Sequence, residues 1–219
     1  MIGKGKSISH GVAALEYDLA KEINGQAVAT EIARHELYGC TGAEMVQEMK
    51  PYHIDFPNVK NNCLRFEVSP SIEESATFTD ADWAELGNDF MQRMGLANHQ
   101  YIIIRHSGTE SKKEQAHLHI LANRVSLSGE LYRDNWIGKK ATEAANAIAK
   151  ERNFVQSQDI GKVNKAEIKE AMDGVLKKMQ GFDFTKFKEE LGKRGFKVRE
   201  ARASTGKLNG YYVTARSGV

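Results

Sequence analysis

His117-Leu118-His119 sets two imidazoles two residues apart in a stretch of aliphatic residues. On a strand, alternate side chains share a face. Both rings therefore project together, while Leu118 and Ile120 turn to the other layer. A second run, Tyr101-Ile102-Ile103-Ile104-Arg105-His106, has strand length and places His106 on the face of Ile102 and Ile104. If these strands pair as a hairpin, His106 lies beside the His-x-His pair. Three neutral imidazoles on one sheet face make a facial metal site with open coordination positions. By itself such a site does not name a reaction: a three-histidine metallohydrolase or oxygenase acting on a small molecule also fits.

Tyr17 is an aromatic residue that stands off the core face of its helix. The spacing predicts a helix over 9–23, with Ser9 as N-cap and Val12, Leu15, Leu19 and Ile23 on its apolar stripe. Tyr17 falls about 140° from that stripe at roughly 100° per residue, on a face with His10, Ala14 and Lys21. A phenol becomes a competent nucleophile when a nearby cation or base favours its anion. His10, on the same face, could serve such a phenol as a base. His35 and Glu36 are further base candidates, for which a structural or solvated role is the stronger reading.

The elements that must hold these groups follow from periodicity. Residues 62–69 alternate, with Leu64, Phe66 and Val68 on one face and Arg65, Glu67 and Ser69 on the other, closed by Ser69-Pro70. A helix over 80–94 buries Trp83, Leu86, Phe90 and Met94 and stops at Gly95. Strands over 100–106 and 116–125 flank a polar loop over 107–115. Residues 27–50 read as loop, then a helix over 43–49. Further helices are expected over 138–152, 165–180 and 183–194, and a closing hairpin over 196–202 and 207–214. The order predicts an α+β fold: an antiparallel sheet bearing the His-x-His pair, with helices packed on its faces. Residues 1–160 form the expected catalytic core, and 161–219 a basic helical and hairpin extension of the same domain.

A chain of 219 residues makes one large domain or two small ones. With 41% hydrophobic and 27% charged residues it is neither disordered nor fibrous. Two cysteines, Cys40 and Cys63, are too few for a disulfide framework and read as two buried thiols in a reducing compartment. No stretch approaches the roughly 20 apolar residues of a membrane span. The basic start, Met1 to Lys6, leads into no apolar segment, so no secretory signal is expected and the cytoplasm is the default location. Residues 161–219 carry 14 Lys and Arg against 7 Asp and Glu, whereas 1–160 carry 17 against 22. That asymmetry points to an anionic partner such as nucleic acid.

Taken together, His106, His117-Leu118-His119-Ile120 and Asn123-Arg124-Val125 resemble the third motif of mobilisation relaxases of the P-type group, which are HUH-class single-strand DNA endonucleases. Met1-Ile2-Gly3-Lys4 and Ile8-Ser9-His10-Gly11, followed by Tyr17, resemble their first motif. Arg34-His35-Glu36-Leu37-Tyr38-Gly39, Val68-Ser69-Pro70, Phe90 to Leu96 and Asp134 to Lys140 are similar to further segments of the family. The resemblance covers about 1–155.

The resemblance implies nicking and rejoining of one strand at an origin of transfer through a 5′-phosphotyrosine on Tyr17, the nucleophile, with His10 as a base, a DNA contact or itself the nucleophile. The metal would sit on His106, His117 and His119. It would be magnesium or manganese in the cell, with zinc or nickel as in vitro substitutes. Ser69, Asn123, Arg124, Trp136, Lys139 and Lys140 are the expected DNA contacts. Trp136 and Tyr132 would stack on unpaired bases. Lys139 and Lys140 would lie at a helix start that favours phosphate, and Lys193, Arg194, Lys197, Arg199 and Arg202 would add a basic flank. Accessory mobilisation or coupling proteins are the implied partners. Relatives often continue into further domains, which leaves open a truncated chain. The family commonly carries an Asp two residues after the first histidine; Gly108 stands there instead, making Glu110 or Glu114 the candidate carboxylate beside the histidines. A non-catalytic single-stranded DNA-binding module is the remaining alternative.

Overall fold

The computed structural model describes residues 1–108 and 115–215. Contacts divide them into two compact units, Met1–Ser157 and Gln158–Val219. The first holds β1 (Ile2–Ile8), α1 (Gly11–Leu19), β2 (Glu22–Ile23), β3 (Gln26–Ala27), β4 (Ala29–His35) and α2 (Gly42–Met49). It continues through β5 (Cys63–Ser69), α3 (Ile72–Ser75), α4 (Asp80–Arg93), β6 (His99–His106), β7 (His117–Ser126) and α5 (Ile137–Glu151).

β7 sits at the centre of a five-stranded antiparallel sheet of order β1-β5-β7-β6-β4. Its alternation is the expected one. Leu118, Ile120 and Ala122 enter a core with Leu64, Phe66, Val68 and Ile103, covered by Trp83, Leu86 and Phe90 of α4 and Ala141, Ala145 and Ile148 of α5. On the opposite face, Leu121 packs with Cys63, Ile102 and Ile104 under Ala14 and Leu15 of α1 and Met45, Val46 and Met49 of α2. His117 and His119 share that second face.

Local signals fix several boundaries. Thr79 caps α4 in a capping box with Asp82. Gly95, at φ +72, ends it in a Schellman turn, with Gly95 N donating to Gln92 O and Leu96 N to Met91 O. Thr41 and Glu44 cap α2 in the same way.

Three expectations are corrected. The first helix starts at Gly11 after an N-cap at His10 and ends at Leu19. Asn24 and Gly25, both at positive φ, turn the chain into the β2–β3 hairpin, so Ile23 is a strand residue. Its buried residues are Gly11, Ala14, Leu15 and Asp18, while Val12 is exposed. Gly11 lies against Cys63, where an added Cβ would come within 2.6 Å of Sγ, so close approach to β5 rotates the helix away from its apolar stripe.

Second, β1 and β4 are strands that apolar periodicity did not reveal. β1 alternates glycine with lysine, and β4 is a half-exposed edge strand whose register with β6 shifts between Glu31 and Ala33. Third, Cys63 is buried and Cys40 exposed, both free thiols. Burial pushes the Cys63 thiol up to about 11.

The second unit contains most of α6 (Ser157–Leu176), then α7 (Phe184–Lys193) and the hairpin β8 (Phe196–Arg202) with β9 (Leu208–Ala215). α6 begins well before the expected 165. Ala171, Val175, Phe187, Leu191 and Val198 form its own small core. Among the described residues, no helix is long and apolar enough to cross a membrane.

Candidate active site

The β6–β7 register places His106 opposite His117 and Ile104 opposite His119. The hairpin inferred from the sequence therefore forms, and it brings the three rings together. One ligand nitrogen from each lies within 4.8 Å of the others. His117 Nε2 and His119 Nε2 are 3.0 Å apart. The outward nitrogens are held as well. His106 Nε2 donates to the Asp18 carbonyl at 2.7 Å, and His117 Nδ1 donates to the Gln115 carbonyl at 3.1 Å. A carbonyl only accepts, so each contact fixes its ring's tautomer and leaves the other nitrogen with a lone pair.

His119 Nδ1 faces the Asp18 carboxylate at 3.6 Å and Arg65 Nη2 at 3.4 Å. Arg65 also holds the Asp18 carboxylate through Nε at 3.1 Å and through a second, shorter bond from Nη2. One residue of α1 thus touches two of the three histidines, His106 with its backbone and His119 with its side chain.

Burial sets the charge states. It lowers His106 below the ordinary histidine range, and pushes His119 down to about 2, helped by His106, His117, Arg65 and Lys4. The Asp18 carboxyl is raised because burial outweighs the pull of Arg65. Burial thus favours the unprotonated forms of His106 and His119, and an unprotonated imidazole is what a divalent ion requires. The donor set fits a metal.

Tyr17 precedes Asp18 on α1 and is 55% exposed. Lys21, one turn on, donates to its hydroxyl at 2.6 Å, with the ammonium 4.8 Å from the ring centre. The Lys21 charge also bears on His106. His10 is exposed at the N-cap of the same helix, and its side chain makes no capping bond. Ala14, expected on the Tyr17 face, is buried.

The other predicted residues scatter. Ser69 ends β5 and accepts from Gln115 Nε2 at 3.2 Å, beside the backbone that holds His117. Asn123 is fully buried. Its Oδ1 accepts from His53 Nε2 and Val125 N, and its Nδ2 donates to Gln100 Oε1 and the Met49 carbonyl. The expected DNA contact at Asn123 is corrected to a structural one, because no polar atom of that side chain is left for a ligand. Arg124 is likewise committed, to the carbonyls of Asn61 and Tyr132 and to Asp134.

Trp136 stands 81% exposed at φ +59 immediately before α5. Lys139 is exposed and pairs with Glu143, and Lys140 donates to the Arg133 carbonyl over the Tyr132 ring. His35 is structural, its Nδ1 bonded to the His99 carbonyl and its ring stacked on Tyr101. In the second unit, Lys193 pairs with Glu190, Arg202 with Glu200, and Arg199 lies over Tyr212. Glu110 and Glu114 lie outside the described residues.

Sequence reasoning missed Asp18 and Arg65 as part of this cluster, and placed Lys21 on the Tyr17 face without giving it a role. A signal existed for Arg65, whose strand parity is opposite to that of the core residues Leu64 and Phe66. None existed for Asp18, which reads as an ordinary helix-surface acid.

An antiparallel sheet thus carries a three-histidine cluster able to hold a metal ion, with an exposed tyrosine on the adjoining helix. The family model of the relaxase nuclease domain, MobA/VirD2-like, matches residues 17–154. The chain belongs to this family of DNA-nicking domains. Among solved structures it is similar to the conjugative relaxase TrwC in complex with oriT DNA. The metal-free form shares 10% identity over 94% of this chain and 74% of that one, with a TM-score of 0.42. The metal-bound form shares 11% over the same fractions at 0.41. The copper-bound form shares 12% over 94% and 75% at 0.38. These are partial likenesses. No curated protein matches the chain.

Proposed function

We propose that this domain nicks and rejoins one DNA strand at an origin of transfer, with Tyr17 as nucleophile and His106, His117 and His119 as metal ligands. One observation carries the reading: Asp18, which touches His106 and His119, is the next residue to the exposed Tyr17. Nucleophile and ligands are thereby fixed to one another through a single turn of α1.

The Tyr17 oxygen attacks the scissile phosphorus and forms an O–P bond, and the phosphorus–O3′ bond breaks. The products are a 5′-phosphotyrosine and a 3′-hydroxyl. The phenolic proton leaves to solvent, and the departing 3′ oxygen takes one up. Because one ester replaces another, the reverse reaction rejoins the strand without an external energy source. Lys21 holds the Tyr17 oxygen through a charge-assisted hydrogen bond. The same bond steadies that oxygen when it departs in the rejoining direction. His106, His117 and His119 would hold a divalent cation, magnesium or manganese in this reading, which would supply Lewis-acid stabilisation of the phosphate's extra charge. Asp18 and Gln115 keep the ring nitrogens oriented for it. The exposed Trp136, with Lys139 and Lys140, offers a stacking and phosphate-binding flank. In this reading residues 1–160 are the catalytic core and 161–219 a basic extension.

The test incubates single-stranded oligonucleotides tiled across the DNA flanking the gene with protein and Mg²⁺ or Mn²⁺. A denaturing gel then separates covalent adducts. The wild-type protein is expected to give an adduct that Tyr17→Phe, His119→Ala and chelation each abolish. An adduct that survives Tyr17→Phe moves the nucleophile elsewhere, with His10 next. DNA binding without any adduct makes the domain a binding module.

A further inference from the structure

β1 is an edge strand, and its alternate residues serve opposite purposes. Gly3 and Gly5 turn toward α5: an added Cβ on Gly3 would come within 2.4 Å of the Ala141 carbonyl oxygen, and one on Gly5 within 3.2 Å of the Ala141 Cβ. Lys4 and Lys6 therefore point to the other face, which is the face of the histidines. The register runs straight across the sheet. Lys4 opposes Glu67, which opposes His119, and Lys6 opposes Arg65, which opposes Leu121.

Between these rows lies a cleft of about 230 Å³, lined by Lys4, Gly5, Lys6, Arg65, Phe66, Glu67 and His119. Its charges are three cations and one carboxylate. Arg65 is committed to Asp18. Lys4 makes a 2.9 Å pair with Glu67 in which both partners are well exposed, an arrangement worth little and easily exchanged. Lys6 makes no ion pair or hydrogen bond among the described residues, and it is exposed.

We propose that this cleft is a phosphodiester subsite, in which Lys4 and Lys6 hold the backbone of a single DNA strand running from the histidines along β1. The assignment rests on the reading of the histidine cluster as a nicking site. The spacing suits the ligand. Two residues along a strand separate the lysines by about 6.8 Å, comparable with the step between successive phosphates of an extended strand. The contacts carry charge and no base readout, so the subsite takes any sequence. It aligns the strand with the histidine cluster, and Lys4 and Lys6 act as positioning residues.

The competing role for lysines on an edge strand is to block strand pairing between molecules, and the experiment separates the two. Binding of the whole protein to an oligothymidylate strand is measured against salt concentration for wild type, Lys4→Gln, Lys6→Gln, the double variant and Lys150→Gln, an exposed lysine on α5 used as control. The same series is run with an all-methylphosphonate strand, whose backbone is uncharged.

Each β1 variant is expected to weaken binding to the charged strand several-fold and to lower the slope of log affinity against log salt by about 0.7, the double variant by about twice that. Lys150→Gln leaves the slope unchanged, and the neutral strand does not distinguish wild type from the β1 variants. The proposal is overturned if the β1 variants bind the charged strand as wild type does, or if Lys150→Gln lowers the slope as much. The adduct assay on the same proteins stands apart. Slope losses confined to Lys4 and Lys6, without any wild-type adduct, retain the subsite and reject the nicking chemistry. A Tyr17-dependent adduct with unchanged slopes does the reverse.

Discussion

At the scale of single residues, the site depends on Asp18. It is almost fully buried, its carboxylate is ion-paired to Arg65 and close to His119, and its carbonyl accepts from His106. Asp18→Asn keeps the backbone contact and removes the carboxylate. Loss of such an orienting partner commonly costs 10- to 100-fold in metal affinity. Titration calorimetry with Mn²⁺ should show a loss of about that size, with adduct formation falling in parallel at subsaturating metal and recovering at high metal. An unchanged Mn²⁺ affinity would make the Asp18–Arg65 pair a fold contact only. Arg65→Met is the complementary variant. It strands a carboxylate that is 2% exposed without its cation, which costs about 3–5 kcal/mol of stability. The sequence showed the three-histidine cluster because its parity is local. It did not show Asp18, because the partner that makes it part of the site lies 47 residues away.

At the scale of elements, the contact between β1 and α5 sets how closely a helix may approach a sheet edge. Gly3 is required there: a methyl group would run into the Ala141 backbone, which has no room to yield. Gly3→Ala is expected to destabilise the fold by about 1–3 kcal/mol through overpacking. Gly138, in the first turn of α5, is the opposite case. Its added Cβ would make an ordinary 3.5 Å contact with the Gly5 carbonyl oxygen, at a helical position where alanine is preferred. Gly138→Ala should stabilise by about 0.5–1 kcal/mol. Urea unfolding of the two variants beside wild type checks both signs. If they shift the midpoint in the same direction, β1 and α5 do not pack this tightly. The glycines explain why β1 escaped periodicity: they bury backbone against α5 and leave no alternation of apolar side chains to read. The α4 boundaries, by contrast, are written in adjacent residues, from Thr79 and Asp82 to Gly95.

At the scale of the whole molecule, acid sensitivity follows from buried neutral imidazole. His99, away from the His106, His117 and His119 cluster, donates from Nδ1 to the Asn123 carbonyl, and burial holds it below the ordinary histidine range. The unfolded chain therefore binds this proton more readily than the folded one. The stability His99 contributes is complete above its unfolded pKa, about 6.5, and is lost as pH falls from there toward the folded value. Urea unfolding should give a lower free energy at pH 5 than at pH 7.5. His99→Gln, though less stable at neutral pH, should decline less steeply over that interval. An equal decline in both proteins would place the acid sensitivity in other groups. The division into two units bears on this expectation, since His99 and all the groups around it belong to Met1–Ser157, whose two core layers are its own.

The sequence by itself determined the antiparallel α+β class, the face shared by His106, His117 and His119, and the exposure of Tyr17. Each follows from a period of two or 3.6 residues, or from a turn signal, acting over a few neighbouring positions. Only the tertiary structure decided the rest. Close approach of Gly11 to Cys63 turned α1 so that Asp18 rather than Val12 faces inward. Four hydrogen bonds to three other segments and to the chain just ahead took Asn123 out of reach of any ligand. Sheet order brought Lys4 of the first strand into line with His119. These outcomes depend on residues distant in the chain competing for one buried space, and that competition is resolved by packing and by satisfaction of polar groups, which no local period encodes.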